Sequence, residues 1–294
     1  MRNDDKKGSV LASLVKIVIF IIVIVYIFPN IAGVLLDLFD DLFQDISKNV
    51  DSDIYNITDE YYKKYPPEND KEESYSEITY EWYYKNRWSA TWKVPVSVIN
   101  NAIIELNRLK DVVTTRKRNK KYDKYYKALT DNYYKGNYEV FWDAVYKAMR
   151  DDNEDRVEII SRIFKYAVKK QNLSTNQAVE MILTFVQNIE YYIPEELYFE
   201  VYPPINTVMY NKGDCDSKSL LIAMILEDLG YDAILLYSYK YLHAMAGIYI
   251  NGSGTYIEYK GKKFYFMETT GRNWKIGMIP SETNDLSFWH PIDL

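Results

Sequence analysis

The sequence predicts an α+β domain, and three observations predict it. Between residues 96 and 188 apolar side chains recur at helical spacing, in segments bounded by capping and turn residues. From 233 to 268 short β-prone segments alternate with turn signals, Asn251-Gly252 and Lys260-Gly261 among them, the pattern of an antiparallel meander. Between these two regions, Leu220 to Leu226 is apolar almost all round, which marks a helix buried on every side. Helices followed by hairpin-connected strands segregate into the layers of an α+β fold.

Taken in order, residues 1–9 are polar and carry Arg2, Lys6 and Lys7. Ile17 to Leu36 holds no charge, and apolar residues precede Lys16 back to Val10. About 20 apolar residues cross a bilayer core as a helix, so 10–36 is expected to be a membrane anchor in contact with lipid. A cleaved signal peptide would have a shorter apolar region followed by a small-x-small site, which Ile31-Ala32-Gly33 matches poorly. Basic residues precede this span, whereas Asp37, Asp40, Asp41 and Asp45 follow it, ahead of Lys48. The positive-inside rule then predicts a single-pass protein of the cell membrane, with residues 1–9 cytoplasmic and the C-terminal domain extracytoplasmic.

Residues 37–77 are acidic and polar, with Pro66-Pro67, and read as a stalk. The aromatic, β-prone run from Ile78 to Pro95 turns at Lys85-Asn86-Arg87 and predicts a β-hairpin. A helix is expected over 96–109, then a basic stretch, Arg116 to Lys121, read as a solvated face rather than an anionic-surface contact. Two further helices are expected, over 138–150 and 155–169. Asp151, Asn153 and Asp155 between them lack the glycine and glutamate of a calcium loop and read as punctuation. This hairpin and helical region, 78–170, is expected to pack on a second region, 171–294. There Ser174 and Gln177 form a capping box opening a helix to Asn188, and an aromatic loop, Tyr191 to Tyr210, leads to the buried helix. Strands are expected at 233–239, 244–250, 255–259 and 263–268.

The net charge is −6, which argues against a nucleic-acid partner. The 30 tyrosines supply large amphipathic packing area without naming a substrate. One cysteine, Cys215, excludes an intramolecular disulfide. It stands in Gly213-Asp214-Cys215-Asp216-Ser217-Lys218-Ser219, where a loop enters the buried helix. A helix N-terminus favours thiolate and aims backbone amides at a developing oxyanion. Asp214 and Asp216 oppose this unless they cap the helix or turn away. His243 opens a strand and Glu268 closes another, so thiol, imidazole and carboxylate can meet as nucleophile, base and orienting acid. No cofactor and no metal ligand set is expected.

These residues resemble the transglutaminase-like superfamily of papain-type cysteine enzymes. The resemblance covers Phe185 to about Pro280. It rests on Phe185 to Tyr191, on Gly213 to Leu221, on Leu229-Gly230-Tyr231-Asp232-Ala233, on His243-Ala244, and on Glu268-Thr269-Thr270-Gly271 followed by Trp274 to Gly277. It implies a papain-like domain with Cys215 as nucleophile, His243 as base and Glu268 as third member, a place where many members have aspartate. Gln187 is then the candidate to assist the oxyanion hole. The function implied is a membrane-anchored extracytoplasmic cysteine peptidase or amidase, acting on peptide, protein or cell-envelope amides through an acyl-enzyme. A transamidating acyltransferase, in which an amine replaces water, is the near alternative. A non-catalytic binding module on the same fold is the distant one.

Overall fold

The computed structural model describes residues 54–66 and 73–294. The expected anchor, 10–36, lies outside the described residues, as does most of the expected stalk. Among those described, no helix is long and apolar enough to cross a membrane. Ile54–Leu294 forms one compact unit.

The end of the expected stalk is not a linker. Tyr55–Asn56 (β1) and Ile57–Lys64 (α1) dock on the hairpin. Asn56 caps α1, and the Thr58 hydroxyl accepts the Thr91 N–H at 2.9 Å. Ile57 and Tyr61 are buried. An acidic composition read as a stalk therefore hid a short amphipathic helix whose apolar positions have a partner.

The hairpin comprises Tyr75–Tyr84 (β2) and Asn86–Pro95 (β3), turning at Lys85 with a left-handed φ of 56°. It begins three residues earlier than the aromatic run implied. Its alternation puts Tyr80, Trp82, Trp88, Ala90 and Trp92 on a buried face. Trp92 lies 5.2 Å from Phe185 and 5.7 Å from Phe164 between ring centroids, which binds the hairpin into the helical core.

Val96–Thr115 (α2) runs beyond the predicted 109. The basic stretch after it is ion-paired: Arg116 with Asp131, Arg118 with Asp123, and Lys121 with Glu105 and Asp152. The two helices expected over 138–150 and 155–169 are one, Tyr138–Lys170 (α3). No glycine or proline interrupts it, and Asn153, expected as punctuation, turns back to bond the Met149 carbonyl at 2.7 Å. Thr175–Asn188 (α4) opens with the predicted capping box on Ser174 and Gln177.

Glu190–Tyr191 (β4) pairs in parallel with Lys212–Gly213 (β5), and Pro204–Tyr210 (α5) lies between them. Cys215–Asp228 (α6) follows, buried on all sides from Leu220 to Leu226. The final sheet is antiparallel. It comprises Ala233–Ser238 (β6), His243–Tyr249 (β7), Tyr256–Tyr259 (β8), Lys262–Met267 (β9) and His290–Ile292 (β10), in the order β10-β6-β7-β9-β8. On β6, Ala233, Leu235 and Tyr237 face the main core. Ile234 and Leu236 face a smaller core completed by Phe264, Phe266 and Trp289. The sequence reading missed β10, because three residues containing Pro291 carry no period. Proline is tolerated there, on an edge strand.

Candidate active site

The buried helix begins at the required residue for a local reason. Asp214 is the N-cap of α6, its carboxylate accepting the Ser217 N–H at 2.9 Å and the Ser217 hydroxyl at 2.5 Å. The Ser217 hydroxyl in turn accepts the Tyr202 N–H at 2.8 Å, tying down the aromatic loop. Gly213 is needed for close approach: a Cβ there would meet the Ser217 Cβ at 2.8 Å. Cys215 is thus the first helical residue, 5% exposed.

Ser219, one turn further on, fastens this helix to the sheet. Its hydroxyl donates to the Ala244 carbonyl at 3.1 Å and lies 3.1 Å from the Thr269 hydroxyl. Ala244 follows His243 and Thr269 follows Glu268, so one side chain sets the cysteine helix against both strand ends. The β7–β9 ladder pairs Ala246 with Met267. Continued by three residues, that register puts His243 opposite Thr270 and makes His243 and Glu268 diagonal neighbours, close enough for long side chains to meet. They do: His243 Nε2 lies 2.9 Å from Glu268 Oε2.

The other Glu268 oxygen accepts the Thr270 N–H at 2.7 Å and the Thr270 hydroxyl at 2.6 Å. Burial pushes the Glu268 carboxyl up, but the bonds and charge from His243 and the bonds from Thr270 outweigh it and hold it below the usual range. A carboxylate so held fixes the ring through Nε2. Trp289 packs edge-on to the imidazole, 6.1 Å between centroids. This contact came with β10 and was not legible in the sequence.

The thiol is placed differently from the expectation. Its hydrogen bond goes to Asp216, at 3.3 Å, rather than to His243. Burial pushes the Cys215 thiol well up, and the Asp216 and Asp214 carboxylates add to the rise. The Ala244 N–H acts in the other direction, which locates the sulfur beside the opening of β7. Tyr146 donates its hydroxyl to the same Asp216. Of the two flanking acids, Asp214 caps the helix and Asp216 does not turn away. The Asp214 carboxyl is pushed up to about 8, by burial first and then by Asp216. The donor atoms of Asp214, Cys215 and Asp216 lie within 4.8 Å of one another, close enough to hold a metal ion. Several of their lone pairs are already committed to Ser217 and Tyr146.

Gln187 is not free to act in an oxyanion hole. Its amide nitrogen donates to the Glu268 and Trp274 carbonyls, both at 2.8 Å, which uses both N–H groups. It is a buried clamp on the strand end that carries Glu268. Lys218 is a further buried group that the sequence reading passed over. Fully enclosed, it donates to the Ile189 carbonyl at 2.8 Å. Burial pulls its ammonium down to about 8, against the attraction of Glu268 and Asp214.

No protein-family model, no curated protein and no solved structure matches the chain.

Proposed function

We propose that the domain is a cysteine hydrolase of amides, with Cys215 as nucleophile, His243 as base and Glu268 as the acid that orients the base. The His243–Glu268 pair carries this reading. A buried carboxylate gripping Nε2 stabilises an imidazolium and leaves Nδ1 to receive a proton. The sulfur lies next to the residue after His243, at the N-terminus of α6, and the amides at the start of a helix have no partner within it. For reaction the thiol leaves Asp216 and turns to His243. The imidazole takes its proton, the thiolate adds to the amide carbonyl, and the imidazolium returns the proton to the leaving amine. Water then resolves the acyl-enzyme, or an amine does so in a transamidase. Peptides or envelope proteins outside the membrane are the proposed substrates if the anchor at 10–36 holds.

A second reading, a binding module without catalysis, is favoured by one observation: the thiol donates to Asp216, with burial and two carboxylates holding its proton on. The two readings separate by mass spectrometry of the full chain in detergent micelles, using p-nitrophenyl acetate as a generic acyl donor. The hydrolase gives an acetyl adduct on Cys215 that forms and then decays, and that is lost in Cys215→Ala and His243→Ala. No adduct, or an equal rate of formation in His243→Ala, leaves the binding module.

A further inference from the structure

A cavity of about 700 Å³ lies at the far end of α6 from Cys215. The helix has 14 residues, so the two ends are roughly 20 Å apart. We propose that this cavity binds a small organic cation, a primary ammonium on an aliphatic or aromatic body, with Glu227 as the counter-charge.

The argument rests on which charges in the wall are already matched. From α3, Arg150 pairs with Glu154 at 3.3 Å. On the β6 side Asp232 pairs with Lys262 of β9 at 2.6 Å, and Asp293 near the C-terminus pairs with Lys260. Asp228, beside Glu227 on α6, pairs with Lys165 at 2.9 Å. Among the described residues Glu227 is the lining acid with no ion pair. All three lining cations, Arg150, Lys260 and Lys262, have a carboxylate, so the valence left open in the wall is negative. Burial pushes the Glu227 carboxyl up to about 7, with Asp293 and Glu154 adding to the rise and Arg150 opposing it. A cation bound there would relieve that strain.

Size and composition point to an organic cation over a metal ion. The volume lies in the range of small-molecule sites, and Val157, Met224, Tyr231, Tyr259 and Phe264 give the cavity an apolar side. The trio of candidate metal donors among the described residues is at the other end of α6, not in this wall.

Calorimetric titration of the full chain in detergent micelles tests the site, using Cys215→Ala so that an amine cannot enter an acyl transfer. The probes are 1,5-diaminopentane and phenethylamine, with 1,5-pentanediol as the uncharged analogue. At least one amine is expected to bind saturably and the diol not. Affinity should rise about tenfold from about pH 6 to about pH 8, because only the ionised fraction of a carboxyl titrating near 7 is competent. Glu227→Gln should weaken binding at least as much and remove the pH dependence. Its melting temperature, read alongside, establishes that the variant is folded. Should Glu227→Gln fail to fold, the pH dependence and the diol decide. No saturable binding by either amine overturns the proposal, as does equal binding of the diol, a flat pH profile, or undiminished binding to folded Glu227→Gln.

Discussion

The side chains around Cys215 work against its ionisation, which gives the site a specific signature. A carboxylate 3.3 Å from the sulfur stabilises the thiol both by accepting its hydrogen bond and by repelling the thiolate. Asp216→Asn should therefore move the pH midpoint of thiol alkylation downward, by about 1 to 2 units. An unchanged midpoint would mean that burial alone sets it. Lys218 provides a second test, through stability. Its ammonium titrates at about 8 in the fold against an ordinary 10.5, so the stability it contributes is present above 10.5 and lost as pH falls through 8. Lys218→Met removes that dependence. The melting-temperature difference, wild type minus variant, should rise as pH climbs from about 8 to about 10.5. The meeting of His243 with Glu268 and the place of Cys215 at a helix start were legible because these residue types are informative and two of the three stand at element ends. Gln187, Ser219 and Lys218 were not assigned these roles, since each acts through one or two backbone carbonyls that no sequence pattern marks.

The N-terminus of α6 is built by elements packed more tightly than any other side chain at Gly213 allows. Gly213→Ala places a Cβ 2.8 Å from the Ser217 Cβ and 3.0 Å from the Thr207 Cγ2. Relieving that overlap should cost about 1 to 3 kcal/mol in denaturant titration and displace Cys215 from the Ala244 N–H. Retention of both full stability and the wild-type alkylation rate would show that α6 is free to shift. Helices and hairpins with a strong period were legible at this scale. Two things were not. The continuity of α3 depends on Asn153 bonding within the helix instead of ending it, and β10 depends on the edge of β6 being open to a short, proline-bearing strand.

Across the Ile54–Leu294 unit one core joins the hairpin, the helices and one face of the sheet, so the regions 78–170 and 171–294 are not separable bodies. Trp92 touches Phe164 of the first region and Phe185 of the second. Denaturant unfolding read by tryptophan fluorescence in a variant carrying Trp142→Phe, Trp274→Phe and Trp289→Phe, which leaves Trp82, Trp88 and Trp92 of the hairpin as reporters, should coincide with exposure of Cys215 to alkylation. An early fluorescence transition with Cys215 still protected would divide the fold at 170. The α+β class was legible from the order of periods along the chain, but the docking of β1 and α1 was not, because composition there suggested a stalk.

The account stands on the imidazole being the group that takes the thiol proton. The direct measurement is the pH profile of Cys215 alkylation in wild type and in His243→Ala. The account predicts that wild type is labelled at lower pH than His243→Ala, because the imidazole takes the thiol proton. Superimposable, alkaline profiles for the two proteins would contradict it.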